Sequence, residues 1–265
     1  MFGFLKDMLG VSGRDAVGAS PAFASVQVSE TGLVRKENQD HLLADAANRV
    51  YCVADGMGGG AEGARASGIV CERIRRAVSG ASGFLPRLEA VDRAIVDANA
   101  EIYAYAQERG YRQMGSTVAV LVSDDPRLGR GALCYIGDSR VYRIRRGMVK
   151  ALTRDHTVGV ELGAIIDRSR VDEFKDRANP LAHVLTRAIG TMPVVAPDWH
   201  KVDIMPGDRY VICSDGVHDV VSDARLAVLA GYGPLEKAKD RLAAEVVKCG
   251  APDNYSFVIF EVPKG

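Results

Sequence analysis

Four short acidic motifs, spread from residue 38 to residue 254, constrain what this chain can fold into. They are Asn38-Gln39-Asp40, Asp55-Gly56-Met57-Gly58-Gly59, Ser214-Asp215-Gly216 and Asp253-Asn254. Each places an Asp at or beside the end of a run that reads as a β-strand. Tyr51-Cys52-Val53-Ala54 precedes Asp55, and Tyr210-Val211-Ile212-Cys213 precedes Ser214-Asp215. Asp253 comes just before the run Tyr255 to Val262. A carboxylate at a strand end is held by a rigid sheet yet faces water, which is where hard cations bind. Several of them together repel one another unless a divalent ion sits between them.

The chain has 265 residues, enough for one large domain or two small ones. Lys plus Arg equals Asp plus Glu at 34 each, so no field over the whole surface attracts nucleic acid or an anionic membrane. Cys52, Cys71, Cys134, Cys213 and Cys249 lack paired metal spacing, and three of them sit inside apolar strand-like runs. They read as reduced buried thiols, which fits a cytoplasmic location. No run approaches the ~20 apolar residues of a membrane span. Residues 1–22 read as an N-terminal extension, either a frayed tail or a surface-docked helix, without a signal-peptide core.

Strands are expected at 23–29, 50–54, 117–123, 131–136, 140–145, 201–204, 209–213 and 255–262. Gly137-Asp138-Ser139 reads as the turn of a hairpin. One helix is expected from Pro86, with Leu88, Val91, Ile95, Ala98, Ile102 and Tyr105 along one face. A second follows Pro234, and a third begins in the glycine-rich stretch and carries Ala66, Ile69, Val70, Ile74 and Val78. Strands and helices do not alternate one for one, which argues against a doubly wound parallel sheet. The expected result is one α+β domain of sheets covered by helices, with a helical insertion at about 155–190.

Gly58-Gly59-Gly60-Ala61-Glu62-Gly63 also matches the dinucleotide fingerprint. Asp55 would there face a pyrophosphate with like charge, and no strand ending in an acid follows at the ribose position. The preferred reading is a tight turn that lets a main-chain carbonyl reach a cation beside Asp55. Mn²⁺ or Mg²⁺ suits an all-oxygen set, and no His shows zinc spacing. His156 and His218, each beside an Asp, read as surface or helix-edge polar residues. Arg35, five residues before Asp40, is either a solvated surface arginine or a bidentate phosphate ligand beside the metal.

Taken in order, these motifs resemble the metal-dependent protein phosphatases of type 2C, in their bacterial branch. The match runs through Arg35 and Asp40, Asp55-Gly56-x-Gly58-Gly59, Gly115-Ser116-Thr117 and Gly137-Asp138-Ser139-Arg140. It continues through Leu152-Thr153-Arg154-Asp155-His156, Leu185 to Gly190, Ser214-Asp215-Gly216 and Asp253-Asn254. The resemblance implies a four-layer α-β-β-α sandwich of two antiparallel sheets flanked by helices, with residues 23–265 as the catalytic domain and about 155–190 as a flap.

It further implies two Mn²⁺ or Mg²⁺ ions, with a third, weaker site. Asp55 would bridge the two ions, the Gly56 carbonyl would bind the second, and Asp215 and Asp253 would hold the first. Asp40 would hold a water of the second ion, Asp138 with Asp215 the third site, and Arg35 the phosphate. The implied reaction is hydrolysis of phosphoserine or phosphothreonine in proteins by a metal-bound hydroxide. Implied partners are phosphoproteins and a cognate bacterial serine/threonine kinase, and the chain itself is expected to be a monomer in the cytoplasm. Gln39 stands where a Glu is common, and Met57 where eukaryotic members carry a His proposed as general acid. A pseudophosphatase that only binds, and a regulatory phosphatase docked through residues 1–22, are the competing readings.

Overall fold

The computed structural model describes Leu5 and residues 23–58, 61–111, 113–165 and 183–264. The expected extension at 1–22 and the centre of the expected flap fall outside these, apart from Leu5, which is buried in the core.

Among the described residues, eleven strands form two antiparallel sheets. The first sheet runs in the order β1 (Ala24–Glu30), β11 (Tyr255–Glu261), β10 (Arg209–Cys213), β7 (Arg140–Arg145) and β8 (Met148–Ala151). The second runs β2 (Asp40–Asp45), β3 (Val50–Met57), β5 (Val118–Ser123), β6 (Arg130–Ile136) and β9 (Asp198–Asp203). The two-residue β4 (Gly115–Ser116) pairs with the end of β3. All-antiparallel pairing rules out the doubly wound sheet, as the element pattern implied.

Between the sheets lies a layer built from Tyr51, Val53, Leu121, Leu133, Ile212, Val258 and Phe260. Tyr51 and Tyr210 stack on Phe260 with ring centroids 4.0 and 5.0 Å apart. Alternation along each strand sends the remaining apolar residues to the outer faces, where helices cover them. On one side lie α1 (Ala61–Ser79) and α2 (Phe84–Arg109). Ala66, Val70, Ile74 and Val78 of α1 and Leu88, Val91, Ile95, Ala98 and Ile102 of α2 are all fully buried. Ile69 and Tyr105, expected on the same stripes, are half-buried at their edges. Pro86 lies in the first turn of α2 rather than starting it, where its missing N–H goes unused. The helix stops at Gly110, whose φ of 71° suits a left-handed cap.

On the opposite side, α5 (Asp223–Ala230) and α6 (Leu235–Lys248) cover the first sheet, burying Leu226, Leu229, Ala238, Leu242 and Val246. The short α3 (Val158–Ile165) opens the expected insertion, and α4 (Asp215–His218) is a single turn after β10. The architecture is the α-β-β-α sandwich.

One local expectation fails. Gly137-Asp138-Ser139 does not turn a hairpin. β6 pairs with β5 and β9 in one sheet, whereas β7 pairs with β10 and β8 in the other. The segment is a corner by which the chain crosses between sheets. Gly137 adopts φ 100° there, and a Cβ would sit 2.7 Å from the Thr117 side chain. Turn chemistry was read correctly; the pairing partner is a matter of topology that local sequence does not encode.

Candidate metal centre

Five elements deliver aspartates to one pole of the sandwich. β2 and β3 are antiparallel, so the first residue of β2, Asp40, lies directly opposite Asp55 near the end of β3. Asp215 opens α4 just after β10, and Asp253 stands just before β11, the neighbour of β10. Asp138 sits at the β6–β7 corner. Arg35, Gln39, Asp55, Gly56, Met57, Asp138, Asp215 and Asp253 line one cavity of about 710 Å³, and Asp40 lies beneath it, 4% exposed.

The carboxylates interact strongly. Asp55 and Asp215 lie close enough for each to act on the other's charge. Burial, then the charges of Asp40, Asp215 and Asp138, push the Asp55 carboxyl well above the usual carboxylate range. Burial, followed by the Asp215 charge, does the same to Asp138, and burial raises Asp215. Asp40 is pushed up to about 7, chiefly by burial, with the Asp215 charge adding and the Ser214 hydroxyl opposing. Each shift says that an extra positive charge at this pole is favoured.

Two carboxylate oxygens at this pole, Oδ1 of Asp40 and Oδ1 of Asp215, are buried and have no hydrogen-bond partner among the described residues. An orphaned buried carboxylate oxygen is costly unless a cation answers it. The donor set is all oxygen, which suits Mn²⁺ or Mg²⁺. The chelate is not closed, however. Among the described residues, no three His, Cys, Asp or Glu side chains are already arranged to hold an ion. Asp253 instead accepts a 2.6 Å hydrogen bond from Arg35. That pair is substantially exposed, so it costs little to break when either partner finds a better one.

The positioning residues come from the motifs' less conspicuous members. Asn254 accepts from the Gln39 N–H at 2.9 Å and donates to the carbonyls of Thr31 and Glu37, each at 2.8 Å. It thereby staples the loop bearing Arg35 to the Asp253 segment. Ser214 Oγ donates to Asp40 Oδ2 at 2.7 Å. Thr117 Oγ1 accepts the Asp55 N–H at 3.0 Å and meets Ser139 Oγ at 2.7 Å, joining β3, β5 and the corner. His183, which the sequence reading passed over, lines the cavity with Nδ1 3.5 Å from Asp219. His156 and His218 are buried, 6% and 2% exposed, which corrects the surface reading for both, while His218 does end α4. Burial and the nearby Arg187 lower the pKa of His156.

Gly56 has a specific reason to be glycine. Its N–H bonds the Gln39 carbonyl at 3.1 Å, and a Cβ would lie 2.0 Å from the Gly63 carbonyl oxygen. β3 and the first turn of α1 approach too closely for any side chain. Gly56→Ala should therefore cost about 2–4 kcal/mol by displacing α1 from the strand end. Chemical denaturation checks this, and a variant as stable as the parent contradicts the close approach.

Comparison with known proteins follows this geometry. The family model described as protein phosphatase 2C matches residues 34–235. The serine/threonine protein phosphatase PstP of Mycobacterium tuberculosis is 32% identical over 237 residues, covering 88% of this chain and 44% of that protein. The chain thus spans less than half the length of that relative. The solved catalytic domain of PstP in complex with two manganese ions superposes with TM-score 0.77 at 30% identity, covering 92% of this chain and 99% of that one. PppA of Pseudomonas aeruginosa superposes with TM-score 0.81 at 28% identity, covering 91% and 98%. With the strand-end aspartates, the two-sheet sandwich and these matches in agreement, the chain belongs to the protein phosphatase 2C family.

Proposed function

We propose that the chain is a metal-dependent protein serine/threonine phosphatase acting on phosphoserine and phosphothreonine. The observation that carries this reading is the convergence at one pole of four raised carboxyls and two orphaned carboxylate oxygens, three of those carboxyls lining one cavity with the Arg35 guanidinium. Asp55, Asp215, Asp253, Asp40 and the Gly56 carbonyl would hold two divalent ions, with Asp138 and Asp215 offering a third site. Bound Mn²⁺ or Mg²⁺ would supply Lewis-acid activation of water and charge neutralisation. Phosphoproteins made by a cognate bacterial serine/threonine kinase are the proposed substrates, and the cytoplasm the proposed location. Among the described residues, no helix is long and apolar enough to cross a membrane.

Arg35 supplies phosphate recognition. Its guanidinium, released from Asp253, can bind two phosphoryl oxygens in parallel and hold them at the mouth of the carboxylate cluster. Arg35→Ala should lower kcat/KM on a phosphothreonine peptide about a hundredfold, and Arg35→Lys should recover only part, because an ammonium lacks the planar fork. An unchanged kcat/KM in Arg35→Ala would remove this role.

The alkoxide of serine or threonine is a poor leaving group and needs a proton. Met57, which lines the cavity, has none to give. His183 is the imidazole placed in the same cavity, with Asp219 beside Nδ1 to orient it. His183→Gln should reduce kcat on the phosphothreonine peptide about a hundredfold, while sparing para-nitrophenyl phosphate, whose leaving group departs unprotonated. Equal losses on both substrates would count against proton donation.

A further inference from the structure

We infer that His156 and His218 are positioning residues that grip the Gly137–Asp138 peptide from two sides and fix the direction of the Asp138 carboxylate. The consequence for cation binding rests on the reading of Asp138 as a ligand given above. The grip itself rests only on geometry.

His156 holds Gly137 twice. Its backbone N–H donates to the Gly137 carbonyl at 3.0 Å, and its Nδ1 accepts the Gly137 N–H at 3.1 Å. An Nδ1 that accepts leaves the ring proton on Nε2. There it donates to Asp198 Oδ2 at 3.2 Å, while Arg187, 3.0 Å from the same nitrogen, donates to Asp198 Oδ1 at 2.8 Å. The ring stacks on Tyr135 with centroids 4.9 Å apart.

His218 holds the next carbonyl. From α4, its Nε2 donates to the Asp138 main-chain oxygen at 3.0 Å, with Nδ1 3.3 Å from Asp219 Oδ1. The Thr117 side chain closes the third side of the corner at Gly137. The Gly137 N–H, the Gly137 carbonyl and the Asp138 carbonyl are thus all engaged, and the Asp138 side chain leaves a fixed peptide.

The same histidine reaches toward the expected flap. The His156 carbonyl accepts the Thr186 N–H at 2.9 Å, and its neighbours Thr157 and Val158 pair with Leu185 and Val184. Val184 and Leu185 line the cavity. One residue therefore bonds both the corner carrying Asp138 and a segment of the cavity wall.

A crossed pair of substitutions separates hydrogen bonding from packing. An Asn carbonyl stands near the place of imidazole Nδ1, whereas a Gln amide reaches the place of Nε2. His156→Asn therefore keeps the acceptor for Gly137, and His156→Gln loses it. For His218 the order reverses, because the bond to Asp138 uses Nε2: His218→Gln keeps it and His218→Asn loses it. The four variants, made in the full chain, are titrated with Mn²⁺ by electron paramagnetic resonance, and exchange of the Gly137 amide is followed by NMR.

His156→Gln and His218→Asn should weaken the weakest Mn²⁺ step about tenfold or more, approaching Asp138→Ala. His156→Gln should also speed Gly137 exchange at least about tenfold. His156→Asn and His218→Gln should stay within about threefold of the parent. Four variants that behave alike, or both members of a pair failing to fold, would overturn the inference in favour of simple packing. If Asp138→Ala binds Mn²⁺ like the parent, the ligand reading fails. The exchange arm then decides the grip alone, with unchanged Gly137 exchange in His156→Gln overturning it.

Discussion

Asp55→Asn should lose at least about a thousandfold in Mn²⁺-dependent turnover, yet be more stable than the parent when cations are chelated. The amide keeps the shape of the carboxyl and removes the charge. Asp55 is the carboxyl whose field includes Asp40, Asp215 and Asp138 together, in a site that burial already makes hostile to anions. Removing that charge relieves the burial and repulsion that raise the Asp55 carboxyl in the cation-free fold. With Mn²⁺ present the order should reverse, since the variant lacks the carboxylate proposed to hold the cation. Denaturation in chelator and in Mn²⁺, with turnover beside it, reads all three effects. A variant less stable than the parent in chelator and still active would show that Asp55 is structural.

The second large effect is on stability against pH. Asp40 is raised from 3.8 to about 7 in the fold. Between those values the folded protein binds a proton that the unfolded chain has released, so stability falls as pH rises. The stabilisation is fully present below about pH 4 and is lost as pH passes through 7. For Asp40 alone the loss is up to about 4 kcal/mol. Asp55, Asp138 and Asp215 shift in the same direction. His41 and His156, lowered mainly by burial, act oppositely and weaken the fold as pH falls below their unfolded value of 6.5. The difference between Mn²⁺-loaded and chelated protein cancels the histidines and isolates the carboxylates. That difference should be small at pH 5 and several kcal/mol at pH 8. A difference independent of pH would mean that the aspartates are not what the cation relieves.

Much of this was legible in the chain, for physical reasons that also mark the limits. The stripes of α1, α2 and α6 repeat at helical spacing over three or more turns, and burial follows them except at Ile69, Tyr105 and Leu235, which are half-buried. Fully buried strands such as Val118–Ser123 announce themselves by apolar runs. β2 does not, because Asp40-His41-Leu42-Leu43-Ala44-Asp45 places acids at both ends of a short edge strand. β8 and α5 are too short for periodicity to emerge. The corner at Gly137 shows why local turn chemistry leaves the sheet assignment open.

At the site, the aspartates stood out because a charge ending an apolar run is unusual in itself. The staple through Asn254 and the grip through His156 and His218 join residues 19 to 223 positions apart on different elements. No spacing rule reaches such contacts. The Arg35–Asp253 pair was equally hidden, since both residues were read separately, as a phosphate ligand and a metal ligand.

The central claim is tested most directly by stripping the full chain of cations and following hydrolysis of a phosphothreonine peptide with and without Mn²⁺, in the parent and in Asp215→Asn. The account predicts no turnover when stripped, restoration by Mn²⁺, and loss of that restoration in Asp215→Asn. Folded parent protein that stays inactive with Mn²⁺, or an Asp215→Asn variant as active as the parent, would contradict it.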